Sequence, residues 1–338
     1  MRETLEKAEK NHWKSATRKL KKLTRRFGQT SDDPRVISED VYMAVLRSCM
    51  EDRLHGARAA EPARKIMEKI VEDGYEIPDD VANYCIKNCL DDGPEGTHDG
   101  FGGIDTALAM IAAIESSESP AVINQDTYEK LISVMAAGRG SLDDSLQMLR
   151  ALVADKSLTP TLKLFADVAT ACAAGEREED PEKVMTVLAY AKAAGYELDN
   201  IASTVDGRAL LAAGVVAAEK LDNLGLGLRL LTAASKAQGC EPDRGDDLVA
   251  TSSPAAQRAC TIIHRQAIRK ASVDGSWKLS VKLLELMLER GLTPSPSTWR
   301  NVVTCCAKAE KSRKATSLLL DWVSSLVREN FVILSFHN

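Results

Sequence analysis

One spacing recurs four times in this chain. Tyr42 and Cys49, Tyr128 and Met135, Phe165 and Cys172, and Trp299 and Cys306 each stand seven residues apart. Seven residues is close to two turns of α-helix, so each pair shares a helix face. Aliphatic residues fill the interval: Val45 and Leu46, Leu131 and Ile132, Val168, and Val302 and Val303. A second amphipathic segment follows each of these helices. The period is roughly 35 to 45 residues, the range of two-helix repeat units that stack to bury a shared core.

The stretch from Leu279 to Trp322 carries the pattern most fully. An apolar helix ends at Gly291, a Leu292-Thr293-Pro294 turn follows, and a new helix begins near Ser297 with Trp299 in its first turn. Second helices of the same kind are predicted over Pro62–Asp73, Ile104–Ile114, Leu142–Ala154, Pro181–Ala194, Leu224–Ala237, Trp277–Glu289 and Arg313–Leu326. Gly74, Gly195, Gly239 and Gly291 stand where helices end, and Pro78, Pro242 and Pro294 discourage continuation. The expectation is an all-α fold, a right-handed α-solenoid of about seven stacked helix-turn-helix pairs over residues 31–328. Residues 1–30 read as one basic amphipathic helix, the second helix of a partial repeat, and residues 329–338 as a tail. Segments 91–103 and 243–254 read as loops. The glycines of the first lack the preceding strand and the Gly-Lys-Ser/Thr of a phosphate loop.

The totals narrow the function classes. Aromatic residues make up 4% of the 338, which favours helix over sheet. Net charge is −5, so the whole chain gives nucleic-acid binding no support. Residues 1–30 nevertheless hold ten Lys or Arg against three Glu, +7, which leaves −12 for the remainder. The eight cysteines sit beside apolar residues in helical segments and read as reduced, buried thiols. No apolar run reaches the roughly 18 residues a bilayer span needs. Glu3, Glu6 and Glu9 argue against a transit peptide.

The residues Thr298-Trp299, Cys305-Cys306-Ala307-Lys308-Ala309, Lys314-Ala315 and Leu318-Leu319 resemble the pentatricopeptide repeat. Gly291-Leu292-Thr293-Pro294, Gly74 to Asp79 and Gly239 to Asp243 resemble its closing turn. The likeness covers most of residues 38–328, with several units longer than the family's usual length. It implies single-stranded RNA bound along the first-helix face, one base per repeat, in a mitochondrion or chloroplast, for RNA processing or stability. It also implies two base-reading positions per repeat. The one after the aromatic falls on Met43, Glu129, Ala166 and Arg300, and on Asn83 when Cys89 is aligned with Cys49. The one closing a repeat falls on Asp79, Thr161, Asp199, Asp243 and Ser295. Asn, Ser or Thr is favoured at the first, and only Asn83 conforms.

Other clusters read as structure. Cys85 and Cys89, with His98 nearby, lack the four ligands at recognisable spacing of a zinc site, and no metal or cofactor is expected. His264 has no orienting partner in the sequence, and no enzyme chemistry or small-molecule substrate is expected. Acids at Glu176 to Asp180 and at Asp246 and Asp247 suit helix starts. Arg18, Lys19, Lys22, Arg25 and Arg26 could contact phosphates or form a solvated face. Two readings therefore stand: an RNA-binding solenoid, and a protein-interaction scaffold of tetratricopeptide-like architecture.

Overall fold

A computed structural model describes residues 2–9, 13–27, 37–51, 56–90, 103–139, 141–155, 158–174, 180–236 and 254–335. Every regular element among them is helical. The chain divides into two compact units, Met1–Leu164 and Phe165–Asn338.

In the first unit, α1 (Arg2–Glu9) and α2 (Trp13–Phe27) form a hairpin on α3 (Glu39–Glu51). The expected single basic helix is thus two. The inner face of α2, Trp13, Ala16 and Leu20, is buried, which turns its basic residues outward. Three further hairpins follow: α3 with α4 (Gly56–Glu72), α5 (Asp79–Leu90) with α6 (Gly103–Glu115), and α7 (Gln125–Val134) with α8 (Leu142–Ala154). A π-turn, Met135–Arg139, ends α7. The first helices pack in sequence, α3 on α5 and α5 on α7, while α4 packs on α6. Helix α4 begins six residues before Pro62, where the sequence suggested a start, and carries that proline inside it.

The boundary between the units falls within α9 (Leu162–Ala174). Helix α10 (Pro181–Ala193) follows, and the Asp180 N–H before it donates to the Cys172 carbonyl of α9 at 3.2 Å. In the second unit a short α11 (Leu198–Ile201) precedes three hairpins. They are α12 (Val205–Lys220) with α13 (Leu224–Lys236), α14 (Pro254–Val273) with α15 (Trp277–Glu289), and α16 (Pro296–Lys308) with α17 (Ser312–Ser335). Here α12 packs on α14 and α14 on α16. Each unit is thus a stack of helix pairs, the arrangement of an α-solenoid. Helix α17 runs on to Ser335, so most of the expected tail is helical. The loops expected at 91–103 and 243–254 lie almost wholly outside the described residues.

The recurrent pairs explain the stacking. Tyr42, Phe165 and Trp299 are buried, and so are Cys49, Met135, Cys172 and Cys306 seven residues after each aromatic. Tyr128 is half-buried. Tyr75, Tyr196 and Trp322 meet the first-helix aromatics at ring-centroid distances of 6.2, 5.8 and 6.5 Å. Tyr42 donates to the buried Asp73 Oδ2 at 2.5 Å, and Lys69 pairs with the other oxygen at 2.7 Å. Burial, then the hydrogen bond to this carboxylate, raises the Tyr42 phenol far above its usual range. Helix ends obey local chemistry. Asn124, Ser141, Asp180, Thr204 and Ser295 cap starts by accepting backbone N–H groups. Gly74 and Gly291 end helices at φ 72° and 65°, a left-handed conformation that a side chain would strain.

Candidate functional site

Of the expected reading positions, Asp79, Asn83, Glu129 and Thr161 lie at or near the starts of α5, α7 and α9. Asn83 is 5% exposed in α5. Its Nδ2 donates to the carbonyls of Asp79 at 2.6 Å and Val122 at 2.8 Å. Its Oδ1 accepts from the Asn124 N–H and the Thr127 hydroxyl, each at 2.8 Å. An amide offers two donors and two lone pairs, so its capacity is used. Asp79 Oδ1 accepts from the Val122 N–H at 2.8 Å, and Lys87 pairs with Asp126. Together these contacts tie the start of α5 to the segment entering α7.

One repeat on, the same kind of tie recurs. Glu129 accepts from the Thr161 N–H at 2.9 Å and from the Thr161 hydroxyl. Gln125 donates to Glu129 at 2.6 Å and to the Thr159 carbonyl at 2.8 Å, and accepts from the Thr159 N–H at 3.2 Å. The position after the aromatic and the position closing that repeat therefore meet. Their polar atoms face each other.

The remaining expected positions are scattered in environment. Met43 and Ala166 are buried apolar residues and present no polar edge. Arg300 is exposed on α16. Ser295 caps that helix, with its hydroxyl 3.3 Å from the Thr298 N–H. Asp199 lies in α11 with its side chain outside the described residues, and Asp243 lies wholly outside them. Arg18, Lys22 and Arg25 are exposed on α2, Lys19 is half-buried, and the Arg26 side chain is not described.

Sequence reasoning missed a basic surface in the second unit. Helix α14 contains Arg258, Arg265, Arg269 and Lys270, all exposed, and no Asp or Glu. Arg258, Arg265 and Arg269 stand at i, i+7 and i+11, on one face. Neighbouring α16 carries Arg300 and Lys308, both exposed, and again no acid. The starts of α3, α5 and α7 differ: Glu39, Asp40, Asp79, Asp80 and Asp126 are exposed there. A whole-chain charge of −5 conceals this segregation. Acid-free helices were visible in the sequence; their side-by-side packing was not.

Beneath that face lies a buried polar cluster. His264 is fully buried, and its Nδ1 donates to the Cys260 carbonyl at 2.7 Å. The neutral Nε2 accepts from Arg290 at 2.8 Å, and Arg290 also donates to the Leu231 carbonyl at 2.7 Å. Burial, with the facing Arg290 charge, holds the imidazole down to about 4. The cluster joins α13, α14 and the end of α15. Burial likewise pushes the thiols of Cys49 and Cys260 up to about 11 and that of Cys89 up to about 12, which suppresses thiolate chemistry. Among the described residues no group of three or more His, Cys, Asp or Glu is arranged to hold a metal. No described helix is long and apolar enough to cross a membrane.

The class these features define is an all-α protein of stacked helix hairpins. No protein-family model matches the sequence, and no curated protein matches it. Among solved structures, it is similar to the pentatricopeptide repeat protein PPR10 from maize, at 12% identity and TM-score 0.35, over 89% of this chain and 40% of that one. It is also similar to PPR10 in complex with an 18-nt psaJ RNA element, at 15% identity and TM-score 0.31, over 95% of this chain and 48% of that one. The chain thus spans less than half the length of these proteins.

Proposed function

We propose that this protein binds single-stranded RNA, without catalysis, on the first-helix face of its second unit. The observation that carries the reading is that the packed helices α14 and α16 hold no acid and expose Arg258, Arg265, Arg269, Arg300 and Lys308. Such a surface neutralises backbone phosphates and releases their counterions. The exposed face of α2, with Arg18, Lys22 and Arg25, offers a second phosphate contact in the first unit. Base-edge reading is weak in this proposal. Asn83 has no free donor or lone pair, Glu129 and Thr161 engage each other, and Met43 and Ala166 are apolar and buried. Among the described positions, Arg300 is exposed and is left to contact bases. The organellar setting, and work in RNA processing or stability, are proposed from the repeat resemblance.

A protein-interaction scaffold is the second reading. It is favoured by the acidic helix starts of the first unit, which suit a basic partner segment. Binding of mixed-sequence single-stranded RNA across a salt series separates the two. The RNA reading expects affinity that falls with salt. A combined Arg258→Ala, Arg269→Ala, Arg300→Ala variant should flatten the slope of log K against log salt by about 0.7 per charge removed. No binding at low salt would overturn it and leave the scaffold.

A further inference from the structure

We infer that the second unit holds a stacking subsite for one unpaired nucleotide, with the base on Trp322 and its phosphate on Arg265. This deepens the RNA reading and rests on it. A cleft of about 540 Å³ opens where Arg265 of α14, Leu288 of α15, the turn at residues 291–295 and the two indoles Trp299 and Trp322 come together. Its volume lies within the range of small-ligand sites, roughly 300 to 1,000 Å³.

The walls have the chemistry of a nucleotide. Trp299 is 3% exposed and fixed in the core at the start of α16. Trp322 lies against it with ring planes 8° apart and centroids separated by 6.5 Å. The buried indole therefore braces the half-buried one at a set angle. A pre-positioned indole at a cleft is a platform on which any base can stack. Leu288, 43% exposed, and Pro294 and Pro296 supply further apolar wall.

The polar wall is cationic. Arg265 is exposed, and no carboxylate lines the cleft among the described residues. Its guanidinium matches a phosphate in two parallel N–H···O bonds. It also belongs to the Arg258–Arg265–Arg269 face of α14, so a strand following that face delivers a phosphate to the cleft mouth. A proline-rich peptide suits the site less. Such a segment docks across several aromatic ridges and needs no cation, whereas here one stacked indole pair stands with one arginine.

The test uses the intact chain and a mixed-sequence single-stranded RNA oligonucleotide, with affinity measured at several salt concentrations. Trp322→Leu keeps an apolar side chain against Trp299 but removes the platform. It should weaken binding about tenfold with the salt slope unchanged, since stacking carries no counterions. Arg265→Ala should weaken binding and flatten the slope by about 0.7. Trp322→Phe, which retains a ring, should recover most of the loss. Arg150→Ala, exposed on α8 of the first unit, should leave affinity as in the parent. If Trp322→Leu fails to fold by circular dichroism, Arg265→Ala alone carries the test, and parental affinity and slope in it overturn the subsite. Parental affinity and slope in both Trp322→Leu and Arg265→Ala would overturn the subsite while leaving RNA binding intact. A parent chain that binds a proline-rich peptide and no RNA would overturn both.

Discussion

Asn83 shows how a single residue can match a recognition position and do structural work. Three of its four hydrogen bonds reach the segment 122–127, some 40 residues onward, and close the start of α5 against the entry to α7; the fourth goes to the Asp79 carbonyl of its own helix. Asn83→Ala leaves the Val122 carbonyl and the Asn124 N–H without their side-chain partner. Stability should fall by about 2 kcal/mol in urea denaturation, with RNA sequence preference unchanged. A variant as stable as the parent with altered base preference would show that Asn83 reads bases after all. His264 makes a second residue-scale prediction. Its folded-state value of about 4 lies below the ordinary 6.5, so between these values the unfolded chain binds more protons. Its contribution to stability is therefore fully present above about pH 6.5 and is lost as pH falls toward 4. Parent and His264→Gln should differ in the steepness of this loss, by up to about 3 kcal/mol between pH 7 and pH 4. Equal pH profiles in denaturant melts would contradict the assignment. The sequence placed His264 in a helix beside apolar residues; Arg290, its partner 26 residues later, came from the packing of α15 against α14.

At the scale of elements, close approach decides which small residues matter. A Cβ on Gly207, in the first turn of α12, would sit 1.9 Å from the Ile201 carbonyl oxygen, and that oxygen is backbone and cannot step aside. A Cβ on Gly225, in the first turn of α13, would meet only Asn223 Oδ1, at 3.9 Å. Gly207→Ala should therefore destabilise by about 3 kcal/mol, while Gly225→Ala should be neutral or stabilise by about 0.5 to 1 kcal/mol. Thermal melts of the two single variants check the contrast, and similar shifts in both would refute the crowding at α12. Both glycines sit in ordinary helical sequence. The aromatic-plus-seven pattern was legible because both members of each pair lie on one helix. The doubling of the N-terminal helix and the early start of α4 were not, because each depends on which surface the segment packs against.

At the scale of the whole molecule, charge is segregated by helix, which the total conceals. The first helices of one unit open with exposed acids, and α14 and α16 of the other contain no acid at all. Interaction with a polyanion depends on local potential within about a Debye length, roughly 8 to 10 Å, so a net charge of −5 does not govern it. The salt-slope experiment probes this scale directly. On the proposed RNA reading, charge removal on α14 and α16 should flatten the slope.

Helix content, repeat period and the buried aromatic faces were readable from the chain, because they rest on the 3.6-residue turn and on caps that act within a few residues. The state of each candidate site residue was not. Whether Asn83 is spent or available, whether Arg265 stands alone or beside a pair of indoles, and whether two acid-free helices adjoin all depend on contacts between residues 30 to 60 apart. Those contacts arise from how the hairpins stack, and only in the stacked fold do their distances and burial exist.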